Sequence, residues 1–146
     1  MAALADSAKE LIQSGALAHL VTVDADGSPQ VSIVWVGVDA DELVSGHLDG
    51  RLRKLVNIRR DPRVVLSFEA ATSNAMGLRD NLVVHARAVV TEGGAAELLH
   101  RLAQTYVGVG TRFPPMPDPP PGFVVRYTVD RVGGQGPWMA DAQWNP

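Results

Sequence analysis

Gly50-Arg51-Leu52-Arg53-Lys54-Leu55-Val56-Asn57-Ile58-Arg59-Arg60-Asp61-Pro62-Arg63 is the stretch where the chain changes character. Leu52, Leu55, Val56 and Arg59 suit one helical face. Asp61-Pro62 ends that helix, because the residue before a proline is pushed out of the α region. Asp49 or Gly50 begins it, so backbone N–H groups and several cations converge where a strand hands over to a helix.

Working outward, the N-terminal side reads as strands. Residues 16–24 are apolar and β-branched, and Asp24-Ala25-Asp26-Gly27 offers a tight turn. Residues 30–38 and 42–48 follow, which predicts a three-strand antiparallel meander. Before them, Leu4, Ala8, Leu11 and Ile12 recur at helical spacing and Gly15 stands at the stop. On the C-terminal side, residues 63–70 and 81–91 read as strands separated by a polar loop at 71–80. Residues 92–107 read as a helix with Leu98, Leu99, Leu102 and Tyr106 inward. Residues 108–122 hold six prolines and three glycines, too few backbone donors for a central strand or helix, and predict an ordered lid or extended loop. Residues 123–132 are the last strand and 132–146 a tail with Trp138 and Trp144. The expected architecture is one domain over residues 1–146, mainly β with a few helices. It is a six-stranded antiparallel barrel, with an open α+β sheet the other arrangement this periodicity allows.

Composition narrows the function classes. The 146 residues carry 46% hydrophobic and 20% charged side chains with a net charge of −3, so nothing attracts nucleic acid or anionic lipid globally and any anion site is local. The absence of cysteine removes disulfides, thiolate metal sites and cysteine nucleophiles together. Asp6, Lys9 and Glu10 break the N-terminal segment as a signal peptide or membrane span, and the expected compartment is the cytoplasm.

The candidate chemistry centres on Arg51, Arg53 and Lys54. An anion there gains charge-assisted hydrogen bonds, with arginine gripping a phosphate by two parallel donors and lysine acting as a point charge. The alternative is a solvated helix face, which charge runs commonly are. Arg59, Arg60 and Arg63 suit a helix C-terminus without further explanation. His19, His85 and His100 lack the spacing of a metal site, and no metal is expected. His47, ending the third strand beside the basic segment, is placed to meet a bound ligand. Gly133-Gly134-Gln135-Gly136 opens no helix and fails as a dinucleotide fingerprint. Trp35 reads as core, Trp138 as open to a ligand or partner.

The stretch from Arg51 to Arg63 is similar to a "K-x-x-N-L-R-R-D-P-R" signature, and Asp26-Gly27-Ser28-Pro29-Gln30-Val31-Ser32-Ile33-Val34-Trp35 to a "D-G-x-P-x-x-x-x-x-W" hairpin. Both resemble the pyridoxamine 5′-phosphate oxidase-like split barrels, FMN-binding in type, and within them the flavin/deazaflavin oxidoreductases of actinobacterial type. The resemblance runs over residues 11–131. It implies a homodimer with two cofactor sites at the subunit interface. Lys54 with Arg51 and Arg53 would hold the cofactor phosphate, while Ser32, Val34 and Trp35 on the second strand and His47 and Leu48 on the third flank the ring. His47 departs from the small hydroxyl residue frequent in the family, and the proline run at 114–121 is unusual. The implied activity is hydride transfer between coenzyme F420 and a small unsaturated or aromatic acceptor, with FMN as the alternative cofactor. The other outcome is a non-catalytic protein binding flavin, deazaflavin or haem. Met76, Tyr106, Phe113 and Trp138 are the candidates for the substrate side, with the catalytic residues and proton source unassigned.

Overall fold

The computed structural model describes residues 2–139. Its elements are α1 (Asp6–Gln13), β1 (Ala18–Val23), β2 (Pro29–Val34), β3 (Gly37–Asp39), β4 (Glu42–His47), α2 (Arg53–Arg60), β5 (Arg63–Ser73), β6 (Arg79–Glu92), α3 (Ala95–Tyr106) and β7 (Phe123–Gln135), followed by a 3-10 turn at Pro137–Met139. The strands form one antiparallel sheet in the order β2-β1-β5-β6-β7-β4-β3. Ala18, Leu20, Leu43, Leu66, Phe68, Leu82, Val84, Val125, Tyr127 and Val129 are all buried in a single cluster, so the sheet wraps around one core. Ile12 of α1 and Leu55 and Ile58 of α2 join that cluster, each contributing about 1.5–3 kcal/mol by burial. No helix among the described residues is long and apolar enough to cross a membrane.

The mainly antiparallel β architecture with three helices matches the expectation; the strand count and closure do not. Residues 30–38 are two strands, giving seven among the described residues. β2 pairs with β1 while β3 pairs with β4, so the two halves lie on opposite edges and the sheet is not closed by hydrogen bonds. The backbone at the break is served from α3. Tyr106 Oη lies 3.1 Å from the Val36 N–H that donates to it, and 3.2 and 3.0 Å from the carbonyls of Val36 and Ala16. A phenol thus satisfies the backbone at the break, where a ladder would otherwise be needed. The expected meander is reduced accordingly, because β4 takes β7 as its long partner.

Three boundaries also differ. Half of the polar stretch 71–80 is strand: β5 and β6 continue into a tight turn at 74–78 where the Asn74 side chain accepts from the N–H groups of Met76 and Leu78. The tail begins later than 132, since β7 pairs with β6 as far as Gln135, and Trp138 then packs against the core. Trp144 lies outside the described residues. Finally, α2 starts at Arg53 with Leu52 as its N-cap rather than at Asp49 or Gly50, and no side chain caps it. Residues 49–52 form the turn that leads in. Gly50 is required there, because a Cβ would lie 2.6 Å from the Phe123 ring.

Candidate functional site

The end of β2, the end of β4 and the start of α2 meet at one mouth of the sheet. A pocket of about 400 Å³ opens there, lined by Ile33, Val34, Trp35, Gly46, His47, Leu48, Asp49, Leu52, Lys54, Leu99 and Phe113, within the size range of small-molecule sites. Val34, Trp35, His47, Leu48 and Lys54 are therefore brought together as the sequence suggested.

The wall is mostly apolar and its aromatic side is braced. Trp35 stacks on Tyr106 with ring centroids 5.4 Å apart and planes 6° from parallel, and Phe113 lies tilted at 5.1 Å from Trp35. Phe113 comes from the proline-rich segment, which is held to α3: Gln104 Nε2 donates to Thr111 O at 2.9 Å, and Gln104 Oε1 accepts from Gly110 N–H at 2.7 Å. The run 108–122 is thus tied to α3 and brings Phe113 against one side of the pocket. Of the substrate-side candidates, only Phe113 lines the pocket. Tyr106 is spent on bracing Trp35 and Val36, Met76 is exposed near the tip of the β5–β6 hairpin, and Trp138 packs on the core outside the pocket, its Nε1 buried without a partner among the described residues.

The basic cluster divides by partner. Arg51 folds back on Asp49 through Nε at 3.1 Å and Nη2 at 3.2 Å. Arg53 faces Asp24 at 3.9 Å, and both arginines line a neighbouring hollow with Asp24 and Asp26. Arg59 donates to Gly50 O and lies over the Phe123 ring at 5.3 Å. Arg60 donates to Val23 O and Asn57 Oδ1, and Arg63 pairs with Asp61 at 2.7 Å. Lys54 is different. It is half-buried, faces the pocket, and has no carboxylate partner among the described residues. Burial lowers its pKa from the ordinary lysine value. A desolvated cation with no counter-ion, on an uncapped helix start, fits an anionic group of a ligand.

His47 is buried at the pocket floor. Burial, with the Lys54 charge behind it, lowers its pKa to about 4, so the ring is neutral at pH 7. Its Nε2 lies 2.8 Å from Ser45 Oγ, which lies 2.8 Å from Tyr127 Oη. Ser45 and Tyr127 were not singled out from the sequence. The i, i+2 spacing of Ser45 and His47 on one strand was the available signal; the Tyr127 contact across β4 and β7 left none. Ser32 is not in the pocket wall: it faces inward beside Leu20, with its Oγ occluded and unpartnered. Asn57 was also missed as an anchor. Its Nδ2 donates to Thr22 Oγ1 at 3.1 Å and Asp24 Oδ1 at 2.9 Å, fixing α2 to β1.

The family model described as pyridoxamine 5′-phosphate oxidase matches residues 4–136. Among solved structures, the chain is similar to a conserved hypothetical protein of Mycobacterium tuberculosis, with 22% identity, TM-score 0.72, and 100% of this chain and 95% of that one covered. It is similar to an F420 reductase at 22% identity and TM-score 0.69, covering 86% and 94%. A FAD-binding protein of Mesorhizobium loti has 16% identity and TM-score 0.60, covering 86% and 88%. At these identities the likeness is one of fold. Among curated proteins, none matches this sequence.

Proposed function

This chain belongs to the pyridoxamine 5′-phosphate oxidase family, and from that premise we propose that it is a cytoplasmic oxidoreductase that uses coenzyme F420, with FMN as the alternative cofactor. The single observation that carries the reading is Lys54: a half-buried ammonium without a carboxylate partner among the described residues, on the rim of an aromatic and apolar pocket. Lys54 and the α2 amides hold the cofactor phosphate, joined by Arg53 and by Arg51 once an anion competes with Asp24 and Asp49. Val34, Trp35, His47 and Leu48 form the slot for the ring. Phe113 shields one side of that slot. The bound cofactor supplies hydride transfer to or from a small unsaturated or aromatic acceptor; the protein supplies grip and orientation. The F420 reductase and FAD-binding protein of the same fold are consistent with this class of ligand.

We read the protein as a homodimer with the cofactor at the subunit interface. The outward side of β2 carries Val31 and Ile33, more than half exposed, in register with His19 and Val21 of β1. Such a row is a natural surface for a second copy.

The test is titration of the purified protein with F420 and with FMN, followed by absorbance and fluorescence. Micromolar binding of one of them is expected, and Lys54→Met weakens it roughly 10- to 100-fold. Binding of neither at micromolar levels sinks the reading. One observation favours the second reading, a binding protein without turnover: His47, the imidazole in the pocket, is neutral at pH 7 and is no acid there. A bound reduced cofactor that stays reduced with quinones and activated alkenes present selects that reading.

A further inference from the structure

The inward positions of β4 run Leu43, Ser45, His47 from the core to the pocket, and the polar pair meets Tyr127 of β7. All three side chains are buried, so each of their few protons has a limited choice of acceptor. Tyr127 Oη has Ser45 Oγ as its hydrogen-bond partner, with no other among the described residues. A phenol O–H left without an acceptor in a dry interior is expensive, while an unused oxygen lone pair is cheap. Tyr127 therefore donates to Ser45. The Ser45 hydroxyl, with one lone pair taken, has its own hydrogen for His47 Nε2. That nitrogen is then the acceptor, and in a neutral ring the hydrogen resides on Nδ1.

Nδ1 faces the other way. Among the described residues it makes no hydrogen bond, yet it is not one of the polar atoms that are both occluded and unpartnered, which are Ser32 Oγ and Trp138 Nε1. His47 lines the pocket, so its Nδ1–H opens into that space. Of the polar side chains that share the pocket, Asp49 is bonded to Arg51, and Lys54 and Trp35 carry only donors, so none of them accepts from Nδ1 among the described residues.

We propose that Ser45 and Tyr127 are positioning residues that lock His47 as the Nδ1–H tautomer, presenting a fixed hydrogen-bond donor to an acceptor atom of the ligand ring, a carbonyl oxygen or an unprotonated ring nitrogen. This rests on the cofactor reading above and sharpens it. Lys54 takes the anion, the apolar walls take the ring faces, and His47 takes one polar edge. It also limits the chemistry. The ring is neutral at pH 7, so it has no acidic proton to give, and its one lone pair is taken by Ser45, so it is no base either: His47 orients a ligand. The proton that accompanies hydride transfer comes from solvent or from the acceptor's own environment.

The experiment reads the tautomer directly. The full chain, labelled with ¹⁵N-histidine and without ligand, is examined at pH 7 by long-range ¹H–¹⁵N correlation, with His47→Gln identifying the signal. The expected result is a neutral ring with Nδ1 protonated; an Nε2–H ring or an imidazolium overturns the proposal. Ser45→Ala should lower the Nδ1–H population and weaken FMN binding about tenfold, with both restored by Ser45→Thr. Tautomer and affinity unchanged in Ser45→Ala likewise overturn it. Should that variant not fold, the unsubstituted protein decides the tautomer regardless. If FMN and F420 both fail to bind the unsubstituted chain, the cofactor reading falls while the spectrum still judges the relay.

Discussion

At the scale of single residues, His47 ties the pocket to acid stability. Its ring stays neutral in the fold down to about pH 4, whereas in the unfolded chain it takes a proton near the ordinary histidine value of about 6.5. Between those values the unfolded state binds more protons, so stability falls as pH drops from about 6.5 to 4, by about 3 kcal/mol in all. His85, lowered by burial and by Arg131, acts in the same direction, so the comparison must be with His47→Leu. Urea titrations across this window should show a shallower pH dependence for the variant; equal slopes would remove His47 as the cause. Asn57 makes a different prediction. Asn57→Leu strips Thr22 and Asp24 of their shared donor and should cost about 1–3 kcal/mol in urea unfolding. That would make this asparagine an anchor of the helix, with no direct contact to ligand. How much of the site was legible follows the same division. Lys54, His47 and Leu48 could be read because strand end, turn and helix start are local features. That Arg51 and Arg53 are partly engaged by Asp49 and Asp24 could not, because pairing depends on where side chains fold back.

At the scale of elements, the break between β2 and β3 is the most informative feature. Periodicity in 30–38 is continuous and reads as one strand, since nothing local marks Trp35-Val36 as a break. The backbone at the interruption is bonded by a tyrosine seventy residues away, which no local pattern carries. The β5–β6 hairpin departs in the opposite sense: 74–78 is the expected loop, but 71–73 and 79–80, read as loop for their polarity, are strand ends, exposed at all but Asp80. Tyr106→Phe tests the first point. It keeps the stack on Trp35 and removes the hydroxyl that serves Val36 and Ala16. A loss of about 1–3 kcal/mol is expected, with Trp fluorescence of the folded state little changed. A neutral substitution would show that water replaces the phenol there.

At the scale of the whole molecule, one face of the sheet remains to be accounted for. β1 alternates buried and partly exposed positions, and its outward residues continue across the register: Ile33 with His19 and Ser67, Val31 with Val21 and Val65. The inward set fills the core, while in this outward row Val31 and Ile33 stay more than half exposed. At about 25 cal/mol per Å² of apolar area removed from water, a second copy laid over it recovers energy that the monomer forgoes. A self-complementary two-fold contact places the same row against itself. Val31→Asp puts two facing carboxylates into that contact while leaving the inward side of β2 unaltered. Sedimentation of the unsubstituted protein should give a dimer and that of the variant a monomer, with the far-ultraviolet circular dichroism of both alike. If the cofactor slot is shared between subunits, FMN or F420 affinity falls in step with dissociation. A variant that stays dimeric would put the interface on another face, and a monomer that binds as tightly as the dimer would show that one subunit builds the slot alone.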